Sequence, residues 1–174
     1  MRLTAEMKGT MFLDFAFTTT RNVAIDRFQH EHKWAQVNLL RAHLLARPEH
    51  LETFRARVPA LLPARHYLGM QDIPVDQITG SVDRSTDFDH NFRPLKSHLR
   101  DRWVNIYLLA QENSWPPIRV YKVGEQYFVE DGHHRVSVAR SLGRLWIQAE
   151  VWEYVPRPVR PDRQQCCLRA CWCE

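Results

Sequence analysis

No cysteine occurs before residue 166 of the 174-residue sequence, and all four, Cys166, Cys167, Cys171 and Cys173, lie in the last nine residues. A disulfide framework would spread its cysteines through the fold, so none is expected. The spacing is not a paired Cys-x-x-Cys set, and no histidine lies nearby in sequence to complete a zinc site. A disordered, oxidation-prone tail is preferred over a metal cluster. Long apolar runs are missing too, since none approaches the roughly 20 residues that span a bilayer. A signal peptide is not indicated, because Met11-Phe12-Leu13 meets Asp14 at once and no clear small-residue cleavage site follows. A cytoplasmic protein without a membrane partner is expected. An excess of one charge is also slight. A net charge of +4 is compatible with a polyanionic ligand and does not by itself argue for nucleic acid.

With 44% hydrophobic and 25% charged residues, the chain has the balance of a soluble globular domain plus an extension. Residues 1–70 are expected to form a helical N-terminal extension. Within them, Phe12, Phe15, Phe17 and the threonines at 18–20 suggest a short strand or an ordered arm. From Ala24 to Leu45, Phe28, Trp34, Val37, Leu40 and Leu44 recur at mostly three- and four-residue steps, which predicts a helix with that stripe buried. Pro48 suits the first turn of a second helix through Arg57, and 59–70 read as a linker with two prolines. His30 and His32 are two apart and could not share a metal from one helix.

Residues 71–155 read as an α/β domain. Ile73 to Ile78 suggests a short strand or edge segment, followed by a polar loop from Thr79 to Asp89. A helix is predicted from about Pro94 to Gln111, with Leu95, Leu99, Trp103, Ile106 and Leu109 buried. Strands at Ile118–Val123 and Gln126–Glu130 make a hairpin at Gly124-Glu125. A helix from His133 to Leu142 stops at Gly143, and Trp146 to Trp152 alternates as a final strand. Residues 156–174 form a Pro/Arg/Cys tail that cannot continue a sheet well.

The chemistry concentrates at Glu130-Asp131-Gly132-His133-His134-Arg135, a strand, a tight turn and a helix start. Asp131 is placed to cap the helix, and Gly132 allows close approach to the backbone. Free N–H groups, the helix dipole and the Arg135 guanidinium would converge on one point, which suits a phosphate. Arg84, Arg93, Ser81 and Thr86 could join if the fold brings them near. A plain capped helix with surface histidines is the alternative.

The order of these motifs from Ile73 to Tyr154 resembles the ParB/sulfiredoxin-like domain, a small mixed-sheet α/β (α+β) fold also called "ParB-like nuclease". The resemblance covers a little under half the chain. Its specific part is the hairpin followed by Asp131 to Gly143. The resemblance implies a nucleoside triphosphate (CTP or ATP) with Mg²⁺, held at Gly132, His133, His134 and Arg135, with Arg84 or Arg93 closing from the loop. In ParB proteins the turn reads Gly-Glu-Arg-Arg, so only Gly132 and Arg135 match. In sulfiredoxins it reads Gly-Cys-His-Arg, and His133 stands where the thiolate would be, which argues against sulfinic acid reduction. The free-serine kinases of the superfamily carry Asp-Gly-His-x-Arg, matched by Asp131, Gly132, His133 and Arg135. That keeps an NTPase or phosphotransferase open, with His133 and Asp131 as catalytic candidates and Asp83 or Glu130 as guesses at a base. No carboxylate cluster suited to two metals is seen. A chromosome-partitioning role and DNA as a partner are implied by the same resemblance, with the basic N-terminal helices as the DNA contact. No helix-turn-helix pattern follows the last strand, so a ParB-type DNA reader is not expected. The oligomeric state is left open.

Overall fold

The computed structural model describes residues 4–58, 64–112 and 114–155, with backbone alone for 4–17 and 64. The cysteine-rich tail and the Pro/Arg segment fall outside these residues. A single helix, α1, runs from Thr4 to Leu44, 41 residues in all. The helix expected from Ala24 is therefore present, and it also takes in residues 4–20, expected as a strand or arm. Strand β1 (Glu52–Thr53) and the short helix α2 (Phe54–Arg57) follow. Pro48 lies outside any helix, and the second helix expected from it is reduced to α2.

Strand β2 (Ala64–Pro74) replaces the later half of the expected linker and runs into the 3-10 turn Val75–Gln77 and strand β3 (Ile78–Ser81). A second 3-10 turn, Ser97–Leu99, leads into α3 (Arg100–Gln111). Pro94 does not start that helix. Asp89 Oδ1 accepts from the backbone N–H groups of Asn91 (2.9 Å) and Arg93 (2.8 Å), and Phe88 bridges Pro94. This side-chain-capped turn ends in an extended connection at Pro94 and Leu95, whose N–H donates to the Asp87 carbonyl at 3.0 Å, so the helix begins only after the 3-10 turn. Strands β4 (Ile118–Val123) and β5 (Gln126–Asp131) form the expected hairpin. Helix α4 (His133–Ser141) and strand β6 (Trp146–Val155) complete the order.

The six strands make one mixed sheet in the order β1-β3-β5-β4-β6-β2. Strands β1, β3 and β5 are parallel, as are β4 and β6, while β4–β5 and β2–β6 are antiparallel. The fold is thus mixed α/β, as expected, but the sheet draws on residues from Glu52 onward. Alternate residues Ile118 and Val120, and Ile147, Ala149 and Val151, join Trp103, Val104, Val136 and Val138 in one apolar core. The strand period of two puts each of these sets on the helix-covered face.

Helix α1 docks on this core through a different face from the one its large residues suggest. Ala24, Phe28, Glu31, Ala35 and Ala42 are buried, whereas Trp34 is 43% and Leu44 74% exposed. Small alanines allow close approach to a neighbouring helix, and Phe28 meets Trp103 of α3 edge-on at 5.7 Å. Glu31 is tolerated inside because it accepts from Ser141 Oγ (3.2 Å) and pairs with Arg93 (3.0 Å). Leu99 of the preceding 3-10 turn and Trp103, Val104, Tyr107 and Ala110 of α3 are buried and Leu109 is half-exposed, a stripe shifted from the expected one.

Candidate functional site

Helix α4 is enclosed, with every residue from His133 to Ala139 buried. The Trp103 indole N–H donates to Ser137 Oγ at 2.9 Å, and Arg140 donates to the carbonyls of Val75 and Ile78. These bonds fix the helix between sheet and α3, so its N-terminal end is held rigidly. Gly132 occupies the N-cap position with φ +103°, in the left-handed region. A Cβ there would lie 2.5 Å from Ile118 Cγ2 and 3.0 Å from Arg135 Nε. The glycine is therefore demanded by conformation and by packing of the protein against itself. Asp131 does not cap the helix, contrary to expectation. It ends β5, and its carboxylate accepts from Arg135 Nη2.

Arg135 is also placed differently from expectation. Its guanidinium is buried, and Nη1 donates to the carbonyls of Pro116 (2.7 Å) and Pro117 (2.5 Å). These contacts tie the start of α4 to the segment entering β4. Arg135 is a positioning residue for the turn, and its hydrogen-bonding capacity is largely spent inside the protein.

A polar cleft of about 160 Å³ opens at this end of α4. Its walls carry Arg84 from the loop after β3, Arg102 and Ile106 from α3, and the whole Glu130–Arg135 turn. The first intrahelical bond runs from the Val136 N–H to the Gly132 carbonyl at 3.0 Å. The preceding N–H groups have no acceptor within the helix, which gives this end a partial positive charge. Arg93, expected here, lies away from the cleft, paired with Glu31. Thr86 is not on the cleft walls. Ser81 is buried, and its Oγ contacts His133 Nε2 at 2.7 Å while accepting from the Arg84 N–H at 2.8 Å. Glu130 accepts from the Tyr121 hydroxyl. Burial then pushes that phenol up, with the Glu130 contact second.

The two histidines are not on the surface. Burial, then the Arg84 charge and His134, pushes His133 down to about 4. Burial, then Arg102 and Arg84, pushes His134 down to about 4. Both are neutral at pH 7. His134 is 6% exposed, and neither of its ring nitrogens has a hydrogen-bond partner among the described residues. A buried polar atom left unpaired costs about 1–3 kcal/mol, so this side chain is held against its own preference.

Arg102 was not foreseen from the sequence. It stands one residue before Trp103 and four before Ile106, a spacing that places it on the rim of the α3 stripe next to the cleft. Two larger grooves, of about 670 and 400 Å³, lie beside Arg140 and at the C-terminal end of α1. Neither includes the α4 N-terminus. Among the described residues, no group of three or more metal-ligating side chains forms, and no helix is long and apolar enough to cross a membrane.

No family model and no curated protein matches the chain. Solved structures do. Among them is sulfiredoxin from Arabidopsis thaliana, matched over 47% of this chain and 82% of that one, at 19% identity and a TM-score of 0.36. The match is one of fold, as the motif order implied. It says nothing of what the cleft binds.

Proposed function

We propose that the protein binds a nucleotide, with its phosphate at the N-terminal end of α4. The observation that carries this reading is the meeting of two guanidiniums, Arg84 and Arg102, with the first turn of α4 in one polar cleft. Arg102 makes no ion pair among the described residues, so its charge remains available to a ligand. Helix N-termini and arginines recognise phosphate by complementary means: aligned N–H groups, and a planar fork of donors. A cleft of about 160 Å³ is small beside the roughly 300–1,000 Å³ of a pocket for a whole small molecule, so the sugar and base would lie outside it.

Mg²⁺ suits this arrangement, because it is held by one or two carboxylates together with phosphate oxygens. Asp131, with its side chain 59% exposed at the cleft, is the carboxylate such an ion would reach. Bound there, the ion would neutralise phosphate charge. The chain's own residues bind and orient: Arg84 and Arg102 as cations, Arg135 as the clamp that shapes the turn. His133 is neutral at pH 7 and engaged with Ser81, which makes it a wall of the site more readily than a base. A thermal-shift panel of CTP, ATP, ADP and GTP with Mg²⁺ tests the reading, since a ligand that binds only the native state raises its melting temperature. A rise with one nucleotide is expected. No rise with any of them would count against the proposal.

A further inference from the structure

Helix α1 carries a second apolar face, opposite the one docked on α3. Val23, His30, Val37 and Leu44 follow one another at seven-residue steps. Val23, Val37 and Leu44 are exposed, and Leu40 and Trp34 flank them at 62% and 43% exposure. Seven-residue spacing keeps side chains on one side of a helix and is the seam of helix-helix pairing. The residues that meet the core, Ala24, Phe28, Glu31 and Ala35, lie on the other side. The Trp34 indole N–H donates to His30 Nε2 at 3.0 Å, which sets both rings on the exposed face.

We propose that α1 pairs antiparallel with α1 of a second copy of this chain. Charge complementarity selects that occupant and that direction. With the pairing centred between Lys33 and Trp34, Val23 faces the partner's Leu44 and His30 faces the partner's Val37. In the same register Asp26 faces the partner's Arg41. Both Asp26 and Arg41 are exposed and enter no ion pair among the described residues. A twofold axis repeats each of these contacts, so one self-complementary stripe supplies both halves of the interface. The paired segment, residues 23–44, is about 33 Å long at 1.5 Å per residue. The phosphate cleft plays no part in this surface, so the two proposals stand or fall separately.

Sedimentation equilibrium of the full chain, with reductant present to keep the tail cysteines as thiols, tests the pairing. A reversible dimer is expected. Leu44→Glu should shift it to monomer, with at least tenfold weaker association. Asp26→Arg should weaken the dimer, and adding Arg41→Asp should restore it. All of these side chains are exposed, so circular dichroism should show each variant folded. A monomeric wild-type chain would overturn the proposal, as would a dimer that Leu44→Glu leaves unchanged. A dimer broken by Leu44→Glu but not restored by the double charge exchange would overturn the antiparallel register.

Discussion

Arg135 pairs with Asp131 four residues earlier, closing the end of β5 onto the first turn of α4. The same guanidinium holds the carbonyls of Pro116 and Pro117. Loss of the side chain therefore acts on the fold. Arg135→Ala should lower stability by about 1–3 kcal/mol, because it removes the hydrogen bonds that a buried, charged guanidinium donates to three acceptors. Asp131→Asn should cost under about 1 kcal/mol, because that carboxylate is mostly in water. Urea unfolding of the three proteins checks both figures, and an unchanged midpoint for Arg135→Ala would remove the clamp from the account.

Gly132→Ala should be at least as damaging. The left-handed conformation costs a side chain about 1–3 kcal/mol, and the added methyl would also overlap Ile118. Thermal unfolding measures this directly. A variant as stable as wild type would mean that the turn can relax.

The strand–turn–helix at 126–141 and the β4–β5 hairpin were legible because each is written locally. Alternating apolar residues end at a glycine, and a helical pattern begins. What was not legible depends on distant partners. Charge and position mark Arg135 as a ligand residue, while its acceptors at Pro116 and Pro117 come from a separate segment. Residues 64–70 look like linker after two prolines, yet they gain a ladder with β6 and bend at Gly69, where φ is +84°. In α1 the size of Trp34 and Leu44 suggested burial, but close helix packing selected alanines and Phe28.

That docking face yields a contrast in energetics. Phe28→Ala should cost about 3–5 kcal/mol, the range for a buried Phe that leaves a cavity. Trp34→Ala should change the stability of the folded monomer by no more than about 0.5 kcal/mol, as is usual for exposed positions. Denaturant titrations at low protein concentration compare the two. Equal effects would show that the α1 docking face is misassigned.

Acid should unfold the protein partly through His133 and His134. Both have folded-state pKa values near 4, below the ordinary 6.5. Between those values the unfolded chain binds more protons than the folded one. Their contribution is thus complete above pH 6.5 and is lost as pH falls to about 4. His134→Leu should flatten this part of the stability-versus-pH curve and raise stability at pH 5 relative to wild type. Parallel curves for the two proteins would show that His134 is not buried as a neutral ring.

The cleft itself is tested most directly by titrating nucleotide–Mg²⁺ and inorganic tripolyphosphate into wild type and Arg102→Ala by calorimetry. Arg102 is exposed and unpaired among the described residues, so its loss should leave the melting temperature unchanged. Arg102→Ala should weaken both ligands by about ten- to a hundredfold, as a charged hydrogen bond of about 1.5–3 kcal/mol implies. Equal affinities in the two proteins, or no heat from either ligand with wild type, would contradict a phosphate site at the head of α4.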